Sequence, residues 1–300
     1  MVAEDLSAIL RQDHEREAVK DSSHNDKRPL ARKRFGQHFL HDHAILARMA
    51  AVIRLQASDT VVEIGPGRGA LTQYLLQHLS QLDVVEIDRD LIEHLQSLGE
   101  PGQLQIHQAD ILNFEITSIR TGLVSDLRVV GNLPYNISTP LMFHLFASIS
   151  HIKDMYFLLQ KEVAERMAAT VNSSQYGRLS VMTQFFCDVE CLFEVGPEAF
   201  IPRPKVDSTF ICLNPHQRYN LSSQQFDSLE TVVSHVFTMR RKTLRKSLSA
   251  LVPVERLENV SVDLSLRPQA LTVDQFILSV EEKFHIEELT KAEAPSKISC

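Results

Sequence analysis

Thr60-Val-Val-Glu-Ile-Gly-Pro-Gly-Arg-Gly69 is the stretch on which the fold turns. A β-branched run breaks into glycines at 65, 67 and 69, and residues 70–79 then read as a helix. Glycine suits a strand-to-helix turn that takes positive φ and lets a ligand approach the backbone closely. Gly65-x-Gly67-x-x-Ala70 meets the dinucleotide fingerprint, and Glu86 lies 21 residues past Gly65, where an acid ending the second strand accepts ribose hydroxyls. These residues alone indicate an adenosine-containing cofactor. They leave NAD and S-adenosylmethionine equally open.

Working outward, further strands are expected at 82–87, 104–107, 127–130 and 155–159, with 189–195 and 208–213 completing the sheet. Helices are expected at 45–53 and 89–98. Such alternation indicates a parallel α/β sheet. After Asn214-Pro215 the period changes: Phe226, Leu229, Val232, Val233, Val236 and Phe237 form a helical stripe, as do Val273, Phe276, Ile277 and Val280. Four segments follow: a flexible N-terminal extension at 1–30, the α/β domain at 31–215, an all-α C-terminal domain at 216–285 and a flexible tail at 286–300.

The composition is globular, with 44% hydrophobic and 23% charged residues. The net charge of −7 argues against a basic nucleic-acid binder until it is divided. Residues 1–26 carry seven acids and three bases, and residues 281–300 five acids and three bases, which leaves −1 for the body. Inside that body, Lys27, Arg28, Arg32, Lys33 and Arg34 form one acid-free basic cluster, and Arg240, Arg241, Lys242, Arg245 and Lys246 another. Four cysteines without a CxxC pair offer no disulfide framework and point to a reducing compartment. No run approaches a membrane span, and the acidic start resembles neither a secretory signal nor a transit peptide. A cytoplasmic protein is expected.

Three features bear on the chemistry. Glu63 directly precedes the glycines, Asp110 closes the third strand, and Asn132-Leu-Pro-Tyr135 closes the fourth. Asp110 is placed to take an adenine amino group. The tetrapeptide suits the activation of an exocyclic amine. The N6 lone pair of adenine is delocalised into the ring, so acceptors at the Asn132 side chain and the Leu133 carbonyl would favour a pyramidal, nucleophilic nitrogen. Pro134 fixes the backbone and brings no competing donor. Tyr135 offers a ring for stacking. A sulfonium leaves readily, so positioning and electrostatics suffice and no metal is required.

Taken together, Arg34-Phe-Gly-Gln-His-Phe-Leu40, Val62-Glu-Ile-Gly-Pro-Gly67, Val85-Glu-Ile-Asp88, Gly131-Asn-Leu-Pro-Tyr-Asn-Ile-Ser-Thr-Pro140, Leu159-Gln-Lys-Glu162, Tyr176-Gly-Arg-Leu-Ser-Val181, Phe200-Ile-Pro-Arg-Pro-Lys-Val-Asp-Ser208 and Arg240-Arg-Lys-Thr-Leu-Arg245 run from about 31 to 250 in one order. The sequence resembles the ribosomal RNA adenine N6-dimethyltransferase family, and within it the bacterial small-subunit branch. That resemblance implies a Rossmann-like class I S-adenosylmethionine-dependent methyltransferase sheet with a small C-terminal all-α domain. It implies that His38 and Leu40 line the methionine end of the cofactor, that Gly65 and Gly67 approach it, and that Glu86 takes the ribose and Asp110 the adenine. Asn132 would stand at the reactive centre with Leu133 and Pro134, and Phe200 would sandwich the flipped base against Tyr135. The family usually carries Asn where His38 stands. Arg32, Lys33, Arg34, Arg240, Arg241, Lys242, Arg245 and Lys246 would contact RNA phosphates.

The implied reaction dimethylates N6 of two adjacent adenosines in the 3′-terminal hairpin loop of 16S rRNA. It uses four S-adenosylmethionine molecules, and a monomeric enzyme acts on the 30S subunit or its precursor. Rival readings are a large-subunit adenine methyltransferase with the same chemistry, a binding factor that kept the fold without catalysis, and an NAD-dependent dehydrogenase. His38, His41 and His43 lack a companion ligand at metal spacing. Cys187, Cys191, Phe185 and Phe186 read as core.

Overall fold

Parallel strands buried on both faces need near-continuous apolar runs, and the glycine-bounded segment of residues 60–64 is one of them. In a computed structural model that describes residues 37–119, 127–251, 257 and 261–281, it forms β2 (Thr60–Ile64). Before it stand a short strand, β1 (Phe39–Leu40), and helix α1 (His43–Ile53). After it come α2 (Ala70–Leu76), β3 (Leu82–Glu86), α3 (Arg89–Gln96), β4 (Leu104–Gln108), β5 (Leu127–Asn132), α4 (Ser138–Phe146) and β6 (Ile152–Gln160). Then follow α5 (Lys161–Met167), α6 (Arg178–Phe186), β7 (Cys187–Val195), β8 (Phe200–Ile201) and β9 (Ser208–Pro215). The C-terminal part contributes α7 (Ser223–Thr238), α8 (Leu244–Leu248) and α9 (Val273–Glu281).

The seven-stranded sheet has the order β4-β3-β2-β5-β6-β9-β7. The first five strands are parallel, and β9 pairs antiparallel with both β6 and β7. The order in which successive strands are added reverses between β2 and β5, so the carboxyl ends of β2, β3 and β5 open onto one crevice, where α/β sheets bind ligands. Both sheet faces are packed. Val62, Val129, Leu141 and Phe157 belong to one apolar cluster, and Val61, Leu75, Val130 and Leu158 to the other. Fully burying each such side chain contributes about 1.5–3 kcal/mol.

Helix starts follow local chemistry. Asp42 caps α1 by accepting from the Ala44 and Ile45 amides, and Asp88 caps α3 from Asp90. Ser222 and Gln225 make a reciprocal capping box on α7. Helices α2 and α3 end at Leu76 and Gln96, earlier than periodicity suggests: Leu79 and Leu98, the last apolar residues of the two patterns, lie past the helix ends. The two-residue ribbon of β1 and β8, with Leu40 opposite Phe200, is too short to leave a sequence signal.

The C-terminal helices build a third cluster around Leu229, Val232, Val236, Leu271 and Phe276. It includes Tyr176, Val181, Met182 and Phe185, from α6 and the turn before it. The helical part therefore shares its core with α6. Phe185 is 6% exposed and stacks on Tyr219 at 5.4 Å, consistent with a core role. Cys187 is buried, but Cys191 is exposed: β7 is the edge strand, and its register shifts between Cys191 and Phe193. The core expectation holds for the first cysteine only. Among the described residues, no helix is long and apolar enough to cross a membrane.

Candidate active site

The glycine turn leaves β2 with Gly65 and Gly67 at φ +64° and +59°, left-handed values that a side chain strains. A Cβ on Gly67 would also stand 3.0 Å from the Phe39 ring. Parallel pairing of Ile64 with Val85 brings the end of β3 beside this turn. Gly67 N–H donates to Glu86 Oε2 at 3.1 Å, and Asp88 N–H to Glu86 Oε1 at 2.8 Å. Glu86 is 3% exposed. Burial raises its pKa, and the amide hydrogen bonds oppose that rise.

Glu63, one residue before the end of β2, is also buried and accepts the Thr72 hydroxyl at 2.6 Å. Burial, with the Glu86 charge adding to it and Thr72 opposing, pushes its pKa from 4.5 to about 8. Two buried carboxyls thus stand close together, and burial favours the protonated form of each. Asp110 follows β4 and caps a single 3-10 turn. Its Oδ1 accepts the Leu112 amide at 3.0 Å, and its Oδ2 the Asn113 side chain at 3.2 Å.

Asn132 ends β5, between β2 and β6. Gly131 permits the approach, since a Cβ there would fall 2.7 Å from the Ile64 carbonyl. The Asn132 Nδ2 donates to the His38 carbonyl at 3.0 Å. The Pro134 carbonyl is taken by the Ile137 amide and the Ser138 hydroxyl. The Tyr135 hydroxyl lies 2.7 Å from Ser208 Oγ, and burial raises its pKa against that bond.

One cavity collects these groups. His38, Leu40, Gly65, Gly67, Glu86, Asp110 and Asn132 through Tyr135 all line it. Phe200 does not. It is 2% exposed and packs with Leu40 and Phe210, and the ring stacked on Tyr135 is that of His38, at 5.4 Å and 29°. The His38 Nδ1 sits 2.7 Å from the Pro202 carbonyl, and His43 Nδ1 lies 3.0 Å from the Tyr74 hydroxyl. Phe39 and Ile87 also line the cavity; the resemblance implies packing over the cofactor for Phe39 and gives Ile87 no role. The position of Ile87, directly after Glu86, is the signal that could have found it.

The second basic cluster lies apart from this lining. Arg241, Lys242, Arg245 and Lys246 are exposed, whereas Arg240 is half-buried and donates to the Ser173 carbonyl at 3.2 Å. Arg32, Lys33 and Arg34 fall outside the described residues. A network that sequence reasoning missed lies at the other end of β5. Arg128 pairs with Asp154 at 2.8 and 2.9 Å and with Asp59 at 2.7 Å, and it also donates to the Ile53 carbonyl.

Comparison with known proteins gives a consistent result. The family profile described as ribosomal RNA adenine dimethylase matches residues 28–284. A ribosomal RNA small subunit methyltransferase A from Coxiella burnetii is 50% identical over 252 residues, covering 84% of this chain and 96% of that protein. One from Alcanivorax borkumensis is 48% identical, covering 84% and 89%. Among solved structures, a dimethyladenosine transferase from Plasmodium falciparum superposes with a TM-score of 0.70 at 26% identity, covering 84% of this chain and 98% of that one. The 23S rRNA methyltransferase ErmE superposes with a TM-score of 0.60 at 26% identity, covering 81% and 98%.

Proposed function

Since the chain belongs to the ribosomal RNA adenine dimethylase family and is an rRNA adenine dimethyltransferase, we propose the finer reaction: dimethylation of N6 on two adjacent adenosines in the 3′-terminal hairpin loop of 16S rRNA. The methyl donor is S-adenosylmethionine, and the enzyme acts as a cytoplasmic monomer on the 30S subunit or its precursor. The convergence of the glycine turn, Glu86, Asp110 and Asn132–Tyr135 on one cavity supports this reading best. The small-subunit relatives at 50% identity favour it over a large-subunit substrate.

The residues present fit the donor. A Cβ built on Gly65 would meet only Pro134 Cδ, at 4.0 Å, so the turn lies against the tetrapeptide with nothing crowding it more closely. Gly65 and Gly67, with His38 and Leu40, would hold the methionine end. Glu86 accepts the Gly67 amide on one oxygen and the Asp88 amide on the other, and a carboxylate has further lone pairs for a ribose hydroxyl. Asp110 retains acceptor capacity for the adenine amine in the same way. When bound, the donor supplies an electrophilic methyl group on a sulfonium that leaves without metal assistance.

The chain's own part is positioning. Asn132 Oδ1 and the Leu133 carbonyl accept the two N6 hydrogens and favour a pyramidal nitrogen. Pro134 contributes no N–H to compete. Tyr135 stacks the base, and its hydroxyl is held by Ser208. After the first transfer one hydrogen remains on N6, so one of the two acceptors is released in the second round. A sandwich that includes Phe200 requires that ring to turn out of the core in which it is 2% exposed. The cations of Arg241, Lys242, Arg245 and Lys246 serve RNA phosphates, with Arg240 bracing the turn that carries them. The all-α part, 216–285, is the unit that presents them.

Mass spectrometry of adenosines from small subunits incubated with enzyme and S-adenosylmethionine tests the reaction. Two adjacent N6,N6-dimethyladenosines in the 3′-terminal hairpin are expected. Modification elsewhere, or of a single adenosine, overturns it.

A further inference from the structure

Four large apolar side chains stand exposed among the described residues: Ile87, Ile201, Val206 and Leu278. Ile87 belongs to the cavity lining; Ile201, at 54% exposure, ends β8, and Val206, at 44%, lies on the segment that runs from there to β9. That segment is tethered to the site at both ends. The Pro202 carbonyl meets the His38 ring at 2.7 Å, the Asp207 carbonyl accepts the Lys161 amide at 2.9 Å, and Ser208 holds Tyr135. Pro204, midway, is buried. The outward apolar side chains are therefore displayed by an anchored loop.

Ile201 pairs with Phe39 across the ribbon, and residues directly opposite in such a ladder share a face. Phe39 lines the cavity and carries the Arg68 guanidinium over its ring at 4.5 Å. Ile201 thus stands at the rim beside the cavity's aromatic cover. Arg203 and Lys205 flank it, both exposed. The acids nearby are Asp207, exposed, and Glu198, which meets Arg203 at 3.5 Å with both side chains well solvated. Such a pair is weak, and a phosphate can replace its carboxylate.

We propose that Ile201 is a wedge that enters the RNA stack at the place vacated by the target adenosine, while Arg203 and Lys205 hold the flanking phosphates. An adenine must leave its stack to reach Asn132, and apolar side chains inserted at base steps stabilise the opened state. The proposal rests on the rRNA reaction proposed above and adds positioning residues to it.

The test uses the full-length enzyme and a hairpin RNA of the 16S 3′ end carrying 2-aminopurine at one target position, with methylation of small subunits measured in parallel. Ile201→Ala should cut the emission rise at saturating enzyme by about 3-fold or more, and subunit kcat/KM by about 10-fold, while hairpin affinity moves by less than about 2-fold. Ile201→Met, which restores the apolar volume, should recover both. The pair Arg203→Glu and Lys205→Glu should instead weaken hairpin binding and lower its salt slope by about 2. Wild-type emission and kcat/KM from Ile201→Ala, beside a wild-type enzyme that methylates normally, overturn the wedge alone. A wild-type enzyme that leaves small subunits unmethylated removes the reaction on which it rests.

Discussion

Asn132 donates its side-chain N–H to the main-chain carbonyl of His38 at 3.0 Å, across 94 positions of sequence. The bond commits the nitrogen end of the amide to the protein and so orients Oδ1, the acceptor proposed for the substrate amine. It also ties the end of β5 to the His38 segment, both of which line the cavity.

Asn132→Ala removes both the acceptor and that tie. Methyl transfer should fall by at least about 100-fold, the scale seen when a preorganised polar contact to the reacting centre is deleted. Affinity for small subunits should persist. Single-turnover methylation and a binding titration separate the two, and full activity in the variant would refute the role.

Glu63 gives a pH signature. Its pKa rises from 4.5 to about 8 in the folded protein. Between those values the unfolded chain has released a proton that the folded protein keeps, so stability falls as pH rises. Below the window both states are protonated, above it both are ionised, and the slope vanishes at each end. Between about pH 5 and pH 8, Tm should therefore drop more for the wild type than for Glu63→Gln, by several degrees. Parallel Tm curves count against a neutral Glu63.

Gly67→Ala meets two obstacles, a left-handed φ of +59° and the Phe39 ring 3.0 Å from the new Cβ. The strain of about 1–2 kcal/mol, relieved only by moving the turn or the ring, should weaken S-adenosylmethionine binding about 10-fold. Calorimetry with the purified protein reads this directly. An unchanged Kd means that the turn does not approach the ligand.

Arg128→Met would strand Asp154, whose side chain is 10% exposed, whereas Asp59 keeps Lys153 at 3.5 Å and the Gln56 amide at 2.9 Å. Removing one partner of a buried ion pair costs about 3–5 kcal/mol, visible as a lower urea midpoint at pH 7. Replacing Asp154 with Asn in the same background should recover part of the loss. If it recovers nothing, the stranded Asp154 charge is not the cause.

Reversing the charges of Arg241, Lys242 and Arg245 should weaken small-subunit binding and flatten its dependence on salt, because fewer counterions are released. A variant whose affinity matches that of the wild type throughout about 50 to 200 mM salt would detach this cluster from RNA.

Sequence by itself determined whatever depends on neighbours along the chain. The apolar runs, the glycine turn, Glu86 in register with it and Asn132-Leu-Pro-Tyr135 at a strand end were all legible, because strand period, turn chemistry and capping are local. Matching of several such motifs in one order also identified the family. Tertiary structure decided the rest. Insertion of β9 between β6 and β7, the closure of β1 on β8, the Arg128 network and the burial of Phe200 each join residues tens of positions apart. So does the core shared by α6 and the C-terminal helices. Their energies come from packing and desolvation, which a linear pattern does not encode. His38 illustrates the division: its place in the motif marked it for the cofactor cavity, and only the folded chain set its ring against Tyr135 and its carbonyl against Asn132.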